Sequence, residues 1–520
     1  MKRIISSICF VIIIQTLFSQ TLFSKRYGSG TLEQGYAITP THDNGFAVIG
    51  TTQENGASGD IFIMKLDYQG VIQWQKDIFG VGEDIATSVL QIANGNFVVC
   101  GQTYSYGSGC WDALLVMMDS TGNILWSNAY GDVECQAVAS CTQTQDGGYI
   151  IAGTASGTTS YGSLTKIDHN GNFQWAKSYS ASNYFMSAKQ TSDGGYIAVS
   201  EYPFLIYKTD SIGNILWCQH YLSGTAGSGN THSYDIETFE DGSSVITGEI
   251  YFNAYGGEPD VFLLKIDNLG NRIWFKTYGF TFFEYGLDVK QTADLGYIIA
   301  GRTNSFGHGG NDALLIKTDM NGDLAWAKTY GDVWEDEALQ VKVLNDGFVF
   351  VGNSYTATNS QADSNYVYVV RTDLNGVTNC HYMDWTPLEQ TQTYNPISQT
   401  VTTTSFGTDS LALPTSTNLH FLQRDFCALL GITEYNYNSE ITISPNPFTS
   451  QTTISFSQEQ TNTTIKITDI LGKEIKAINF SGKQCTIEKG TMQAGIYFVQ
   501  ITTSASSVNE KVVNRKVVVQ

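Results

Sequence analysis

Basic residues are scarce in this chain: among its 520 residues are 28 Lys and Arg against 49 Asp and Glu, and the formal net charge is −21 at pH 7. A surface this acidic has little with which to neutralise phosphate groups. Nucleic acids and anionic membranes are therefore disfavoured as partners, and a solvated, acidic exterior is expected.

Long apolar runs are also absent after the first twenty residues, so we expect no transmembrane segment in the mature chain. The N-terminus reads Met1-Lys2-Arg3, then an apolar stretch from Ile4 to Phe18, then Ser19-Gln20. A basic start, a short apolar run and a polar end are typical of a secretory signal peptide. Residues 1–20 are therefore interpreted as a signal peptide.

Motifs for catalysis and for cofactors are lacking too. No Ser-His-Asp order, phosphate-binding loop or paired-carboxylate motif stands out. The cysteines are scattered, without the Cys-x-x-Cys spacing of a zinc site, so no metal and no cofactor are expected. The chain is more readily interpreted as a non-enzymatic protein than as an enzyme.

What the chain does contain is a sevenfold repeat of roughly 50 residues, a period typical of solenoids and propellers. Each repeat has a first turn, mostly of the Asp-Gly-Gly-aromatic type, and a second turn, Asp-x-x-Gly. The first turns are at 43–46, 94–97, 146–149, 193–196, 241–244, 294–297 and 345–348, and the second turns are at 67–70, 119–122, 168–171, 210–213, 267–270, 319–322 and 373–376. Asp accepts a local backbone hydrogen bond and Gly adopts a positive φ, which predicts tight hairpins. Calcium loops are the less favoured interpretation, because the alternating carboxylates are missing.

The sixth repeat shows the expected unit: alternating or apolar strands at 286–292, 297–301, 312–317 and 324–331. Four short antiparallel strands per repeat are typical of a β-propeller blade. The fourth strand carries a tryptophan in six repeats, which we interpret as packing between blades. These are Trp74, Trp126, Trp175, Trp217, Trp274 and Trp326.

After the seventh Asp-x-x-Gly turn no such fourth strand follows, but Phe23–Gly28 matches Trp326–Gly331 with Phe in place of Trp. The N-terminal strand is therefore predicted to supply the outer strand of the last blade, which closes the ring and removes an open edge. The fold class is all-β, with a seven-bladed β-propeller over 21–379 followed by a small C-terminal β-sandwich.

In this register both tight turns lie on one face of the propeller, here called the turn face. The loops between second and third strands and the crossings between blades lie on the other, the loop face, where recognition is usually placed. Its aromatic residues are ligand-binding candidates: Tyr106, Trp111, Phe282, Phe283 and Trp334. Partly buried loop packing is the alternative for them. Glu33, Glu284 and Asp336 are candidate acids at the channel mouth, where they either hold a cation or bond loop amides.

Two disulfides are expected in an oxidising compartment. Cys110 and Cys135 both fall on loop-face segments near the second blade, and Cys380 and Cys427 bracket the segment that follows the repeats. Residues 380–440 are rich in Thr, Ser, Gln and Asn and are interpreted as a linker or accessory segment of unassigned conformation.

A new domain is predicted over 441–520, where short alternating strands suggest a β-sandwich. Its motifs are a Ser-Pro-Asn-Pro start, an Asp-x-x-Gly-Lys-Glu turn, an Ala-Gly-Ile-Tyr strand and a Lys-Val-Val tail. The motif residues are Pro445, Asn446, Pro447, Asp469, Gly472, Gly495, Tyr497 and Lys516. Together these resemble the C-terminal sorting domain of the type IX secretion system of Bacteroidetes-type bacteria, and the repeats resemble those of secreted bacterial propeller proteins. The resemblance implies export through the periplasm to the outer-membrane surface or beyond, with the secretion machinery as a partner.

Three functions remain open. The leading hypothesis is a secreted or cell-surface, non-enzymatic propeller that binds a glycan or a protein through its loop face. One alternative is a glycan-active hydrolase or lyase with its site at the central channel. Another is a structural surface component without a discrete ligand.

Overall fold

The structure is a computed structural model, and it divides the chain into two units, Met1–Asp425 and Phe426–Gln520, which are described separately. The residues it describes are 21–29, 32–53, 59–108, 110–157, 159–221, 231–251, 258–356, 364–380, 382–385, 388–391, 396–398, 403–405, 408–411, 415–417, 422–425, 441–444, 448–469, 473–490, 492–493, 495–504 and 510–519. The predicted signal peptide lies outside these residues. Within them no helix is long and apolar enough to cross a membrane.

The first unit is built from antiparallel sheets that follow the repeat. One strand, β1 (Phe23–Gly28), precedes them. Sheets one to four have the strands β2 (Gln34–Pro40), β3 (Phe46–Thr52), β4 (Asp60–Leu66), β5 (Ile72–Phe79); β6 (Asp84–Gln91), β7 (Phe97–Thr103), β8 (Asp112–Met118), β9 (Ile124–Gly131); β10 (Cys135–Gln143), β11 (Tyr149–Ser156), β12 (Ser160–Ile167), β13 (Phe173–Tyr179); β14 (Phe185–Gln190), β15 (Tyr196–Ser200), β16 (Leu205–Thr209), β17 (Ile215–Tyr221). Sheets five to seven have β18 (Thr231–Thr238), β19 (Ser244–Tyr251), β20 (Pro259–Ile266), β21 (Arg272–Gly279); β22 (Glu284–Gln291), β23 (Tyr297–Thr303), β24 (Asp312–Thr318), β25 (Leu324–Tyr330); β26 (Asp336–Leu344), β27 (Gly347–Thr356) and β28 (Ser364–Asp373). All-β architecture and propeller-like four-stranded repeats are as predicted.

The seventh sheet is completed by the N-terminal strand. β1 pairs antiparallel with β28, with Phe23 opposite Arg371 and Tyr27 opposite Val367. Each sheet also contacts the next one along the chain, and β2 of the first sheet contacts β26, β27 and β28 of the seventh. The two ends of the repeat region therefore meet in one sheet, as the match between Phe23–Gly28 and Trp326–Gly331 predicts.

The seven sheets have a fifth strand that the sequence did not predict. Residues after the repeats form β29 (Tyr382–Trp385), β30 (Leu388–Thr391), β31 (Pro396–Ser398), β32 (Thr403–Ser405), β33 (Thr408–Leu411), β34 (Thr415–Thr417) and β35 (Leu422–Asp425). Each pairs with the outer strand of one sheet, so every sheet has five strands. In the seventh sheet the outer position belongs to β35 and not to β1, which corrects the prediction that the N-terminal strand lies outermost.

Neighbouring sheets are joined through their fourth strands. Trp326 packs on the turn of the next sheet, where a Cβ at Gly376 would lie only 2.7 Å from the indole ring. Gly376 has φ = 72°, a conformation that favours glycine. Four residues after the tryptophan, the Tyr330 hydroxyl donates to the Gly376 carbonyl at 2.7 Å. This arrangement explains the repeated tryptophans as packing between sheets, and Phe23 takes the same place against Gly70.

The second unit has a sheet of its own, formed by β36 (Ile441–Ser444), β37 (Gln451–Asp469), β38 (Glu474–Glu488), β39 (Gly495–Ser504) and β40 (Glu510–Val519). Its order is β36-β37-β39-β40, and β38 pairs along the other side of β37. Ile454, Ile465, Val499 and Val517 belong to one buried core. Hydrogen bonds connect all five strands into one sheet. A β-sandwich consists of two sheets packed face to face, so the predicted sandwich stays a prediction.

Candidate functional site

Every innermost strand of the seven sheets contains a β-bulge at the same place. The residue left over at the bulge is Tyr36, Thr87, Ala139, Met186, Tyr234, Leu287 or Leu339, in sheet order. A bulge turns side chains away from the regular alternation of the strand. Here all seven of these residues line one cavity of about 420 Å³, which is therefore the centre around which the sheets are arranged.

The walls of this central cavity differ in chemistry. Sheets two and three contribute small or neutral side chains, including Thr87, Ser88, Ala139 and Ser140. The other sheets contribute tyrosines and two carboxyl groups, namely Tyr36, Tyr184, Tyr234, Asp235 and Asp288. Aromatic rings and carboxylates can stack on a sugar ring and bond its hydroxyls, so the cavity offers recognition chemistry.

Asp235 and Asp288 share one lysine partner, Lys290. Lys290 Nζ lies 2.7 Å from Oδ2 of Asp235 and 2.7 Å from Oδ1 of Asp288. The carboxylates also join neighbouring sheets, because Asp235 accepts from Ser187 Oγ at 2.7 Å and Asp288 accepts from the Val341 amide at 2.8 Å.

The same network separates the two carboxyl pKa values. Burial raises the pKa of Asp288 to about 6, against the effect of Lys290. Burial acts on Asp235 as well, but the ammonium groups of Lys290 and Lys189 hold its pKa below the usual value. Burial and the nearby Lys290 lower the pKa of Lys342 to about 8. Two carboxyl groups with opposite shifts are a pattern found in acid–base sites.

A second polar group lies behind Tyr234. The Tyr234 hydroxyl donates to Oε1 of Glu249 at 3.2 Å, and His232 Nδ1 lies 3.5 Å from the same oxygen. Burial raises the pKa of Glu249 to about 7. This carboxyl group therefore titrates in the neutral range.

The five aromatic candidates of the loop face fall into separate places. Trp111 is half-buried in an edge-to-face contact with Tyr104 at 5.7 Å, and the half-buried Tyr106 donates its hydroxyl to the Phe79 carbonyl at 3.1 Å. Phe283 stacks on Tyr285 at 6.4 Å. Phe282 and Trp334 are 52% and 40% exposed on two different crossings. Of the five predicted ligand-binding aromatics, Phe282 and Trp334 are therefore the two whose rings are exposed enough to contact a ligand.

The three candidate acids are fully buried and brace the crossings. Glu33 accepts from the Ser29 amide at 3.2 Å, Glu284 from the Phe280 amide at 3.1 Å, and Asp336 from the Asp332 amide at 2.9 Å. The donor is in each case four residues earlier, on the same crossing. In the part of the chain that the structure describes, no three His, Cys, Asp or Glu side chains form a metal-binding group.

The Cys110–Cys135 disulfide is formed, with Cα atoms 4.9 Å apart, and it ties the loop that carries Trp111 to the next crossing. Cys380 is also disulfide-bonded, while Cys427 lies outside the described residues. Of the sorting-domain residues, Asp469 lies opposite Tyr497, Gly495 opposite Val519, and Phe498 opposite Lys516. Pro445, Asn446, Pro447 and Gly472 are outside the described residues.

Sequence reasoning missed the charged residues of the central cavity. One signal was present: Lys189, Lys290 and Lys342 each stand four residues before the Asp of the first turn, in repeats four, six and seven. Aligning the repeats on that turn places the three lysines at one level of the innermost strands. The carboxylate partners, Asp235 and Asp288, directly follow the bulge residue of their strands. The bulge depends on strand register, and no sequence motif predicts it.

Residues 442–515 match the family described as the secretion system C-terminal sorting domain. The chain therefore carries this domain at its C-terminal end, and export by the type IX secretion system to the surface or the extracellular space follows from it. The partner indicated by this domain is the type IX secretion machinery.

Comparison with individual proteins gives weaker likenesses. A stretch of 131 residues is 28% identical to the regulatory protein FlaEY of Caulobacter vibrioides and covers 23% of this chain but only 13% of that protein. Among solved structures, the extracellular domain of BT3049 from B. thetaiotaomicron is similar, with 12% identity, a TM-score of 0.24, and coverage of 93% of this chain and 84% of that one. PorZ, a surface component of the type IX secretion system of Porphyromonas gingivalis, is 10% identical with a TM-score of 0.19, and coverage is 94% of this chain and 93% of that one.

Proposed function

We propose that this chain is an exported, non-enzymatic, seven-bladed β-propeller that binds a glycan or a protein through its loop face. The propeller comprises residues 21–379 with the added outer strands, the signal peptide is 1–20, and the sorting domain is 441–520. Export through the periplasm places the loop face outside the cell. There it is available to glycans and proteins of the surroundings.

The observation that supports binding at the loop face is a set of exposed apolar side chains at the tips of the crossings. Five of the crossings carry at least one: Leu32, Val81, Val133, Phe280, Phe282, Val333 and Trp334. Val81 is 96% exposed, although a solvated tip would not require an apolar residue. Exposed apolar groups that recur around one face indicate a recognition surface.

A glycan array with the full chain, followed by titration of the best hit, tests this proposal. We expect Phe282→Ala together with Trp334→Ala to weaken binding at least tenfold, since both rings are exposed on the loop face. Tyr68→Ala is the matched control, because Tyr68 is 47% exposed on the turn face. Equal binding by the loop-face variant and the wild type would contradict a role for these rings.

The second candidate function is a glycan-active hydrolase or lyase at the central cavity. It is favoured by one observation, the pair Asp235 and Asp288 with oppositely shifted pKa values in the cavity wall. Glycoside hydrolases use two carboxyl groups, one as acid and one as base or nucleophile. Release of reducing ends from polysaccharides by the wild type, lost in Asp288→Asn, would establish this function in place of simple binding.

A further inference from the structure

The seven fifth strands follow one another around the first unit in a fixed order. β29 pairs with β25 of the sixth sheet, β30 with β21 of the fifth, and β31 with β17 of the fourth. β32 then pairs with β13, β33 with β9, β34 with β5, and finally β35 with β1 of the seventh sheet. The segment thus visits all seven sheets once, in the direction opposite to the repeats, and ends beside the sheet where it began.

The spacing of these strands is regular although their sequences are not. Their first residues are 382, 388, 396, 403, 408, 415 and 422, which are five to eight residues apart. Each strand is only three or four residues long. With one short strand per sheet and a short connection to the next strand, the segment can pair with the outer strand of each sheet in turn.

The outer strands supply a reason for this arrangement. Without a fifth strand, β5, β9, β13, β17, β21, β25 and β1 would each expose a row of unpaired N–H and C=O groups, and such edges recruit other β-strands. Side chains contribute at the first step, where Lys328 Nζ makes an ion pair with Asp384 and lies 5.0 Å from the centre of the Tyr382 ring.

A disulfide fixes one end of the segment. Cys380 stands two residues before β29 and is disulfide-bonded. Of the nine cysteines, Cys110 and Cys135 pair with each other, and Cys100, Cys141, Cys218 and Cys485 are free. The remaining candidates are Cys9 of the predicted leader and Cys427, both outside the described residues. Cys427 follows β35 by two residues, so a bond to it would join the two ends of the segment.

We propose that the strands β29 to β35 form a strap that encircles the propeller unit and shields the outer strand of every sheet from pairing with other chains. A Cys380–Cys427 disulfide stays a prediction from the sequence. The strap covers the edges of the longer outer strands and leaves each sheet with an edge only three or four residues long, which is a poorer template for strand addition. The strap also links the repeat that closes the ring to the segment that leads into the sorting domain.

Hydrogen exchange of the full chain, read by mass spectrometry on peptides, tests the strap. Ile397 and Thr404 are the central residues of β31 and β32, opposite His220 and Ser178. In Ile397→Pro with Thr404→Pro, we expect peptides from β13 and β17 to exchange at least tenfold faster, because proline cannot donate to a ladder. Peptides from the innermost strands β10 and β14 should not change. Thr400→Pro, between the two strap strands, is the matched control.

Two results would overturn the strap. One is wild-type exchange in β13 and β17 as fast as in an unpaired edge strand, which needs no variant and so does not depend on how the variants fold. The other is unchanged exchange in the double proline variant.

For the disulfide, peptide mapping without reduction should find Cys380 linked to Cys427, and Cys380→Ser should speed proteolysis of residues 382–425 at least fivefold. Cys135→Ser, which opens the Cys110–Cys135 disulfide, is the control and should leave proteolysis of residues 382–425 unchanged. A disulfide from Cys380 to a residue other than Cys427 would refute the predicted pairing.

Discussion

Lys65 Nζ lies 2.8 Å from Oδ2 of Asp43, so the third strand of the first sheet is bonded to the turn that precedes its second strand. The same contact recurs as Lys166–Asp146, Lys208–Asp193, Lys317–Asp294 and Arg371–Asp346. In the second sheet the lysine is replaced by Met117, and there the turn residue is Asn94. Both charges are thus absent together in the second sheet, which indicates that the basic residue on the strand and the acidic residue on the turn stabilise the sheet as a pair.

We expect Lys65→Met to destabilise the protein by about 1 kcal/mol, because it leaves a carboxylate beside an apolar side chain. Adding Asp43→Asn should recover part of this loss by reproducing the pair found in the second sheet. Hydrogen bonds from Lys65 and Thr41 hold the pKa of Asp43 at about 2 despite partial burial, so the coupling should persist to low pH. Chemical denaturation of the two single variants and the double variant measures the coupling, and strictly additive effects would argue against it.

Buried acids on the loop face predict a loss of stability at high pH. Burial and the neighbouring Asp336 raise the pKa of Asp312 to about 8, and burial raises the pKa of Asp336 to about 6. A carboxyl group whose pKa is raised on folding favours the folded state below its unfolded pKa. That contribution is lost as the pH rises towards the folded value.

The wild type should therefore lose stability between about pH 4 and about pH 8, by an amount on the order of 2–4 kcal/mol from Asp312. Asp312→Asn should show a flatter profile, because an amide does not ionise. Asp241→Asn, at an exposed turn position, is the control and should leave the slope unchanged, because hydrogen bonds from Ser243 lower the pKa of Asp241 and its own contribution changes only at more acidic pH. Parallel pH profiles for Asp312→Asn and the wild type would contradict the assignment.

We expect export to depend on the second unit. Truncation after Ser444 removes all but three residues of the segment that matches the sorting domain, so the remaining chain should accumulate in the periplasm. Fractionation of cells with an antibody to the propeller measures the distribution. Normal display of the truncated chain at the surface would show that the sorting domain is dispensable.

The sequence was sufficient for features that recur. Seven copies of two turn motifs predicted the strands of each sheet, the tryptophans predicted the packing between sheets, and the likeness of Phe23–Gly28 to Trp326–Gly331 predicted where β1 pairs. The Cys110–Cys135 disulfide followed from the same alignment, because it places both residues on neighbouring loop-face segments.

Features that depend on backbone pairing were not predictable. The strap strands share no sequence motif, and their backbone pairing with the outer strands is set by register. The bulge at Tyr234 arises from how β18 and β19 pair, and only that register brings Asp235 within reach of Lys290, which stands 55 positions later. Burial of Glu33, Glu284 and Asp336 likewise depends on how the crossings fold back over them.

Pairing of the N-terminal strand β1 with β28 completes the seventh sheet, and a cysteine cross-link between these two strands checks it. Ser24 lies opposite Val370 in the pairing of β1 with β28, whereas Val349 is on β27, one strand further in. Under mild oxidation, Ser24→Cys with Val370→Cys should form a new disulfide, found by peptide mapping, and Ser24→Cys with Val349→Cys should not. A folded protein that never links positions 24 and 370, or links 24 and 349 equally well, would contradict this pairing.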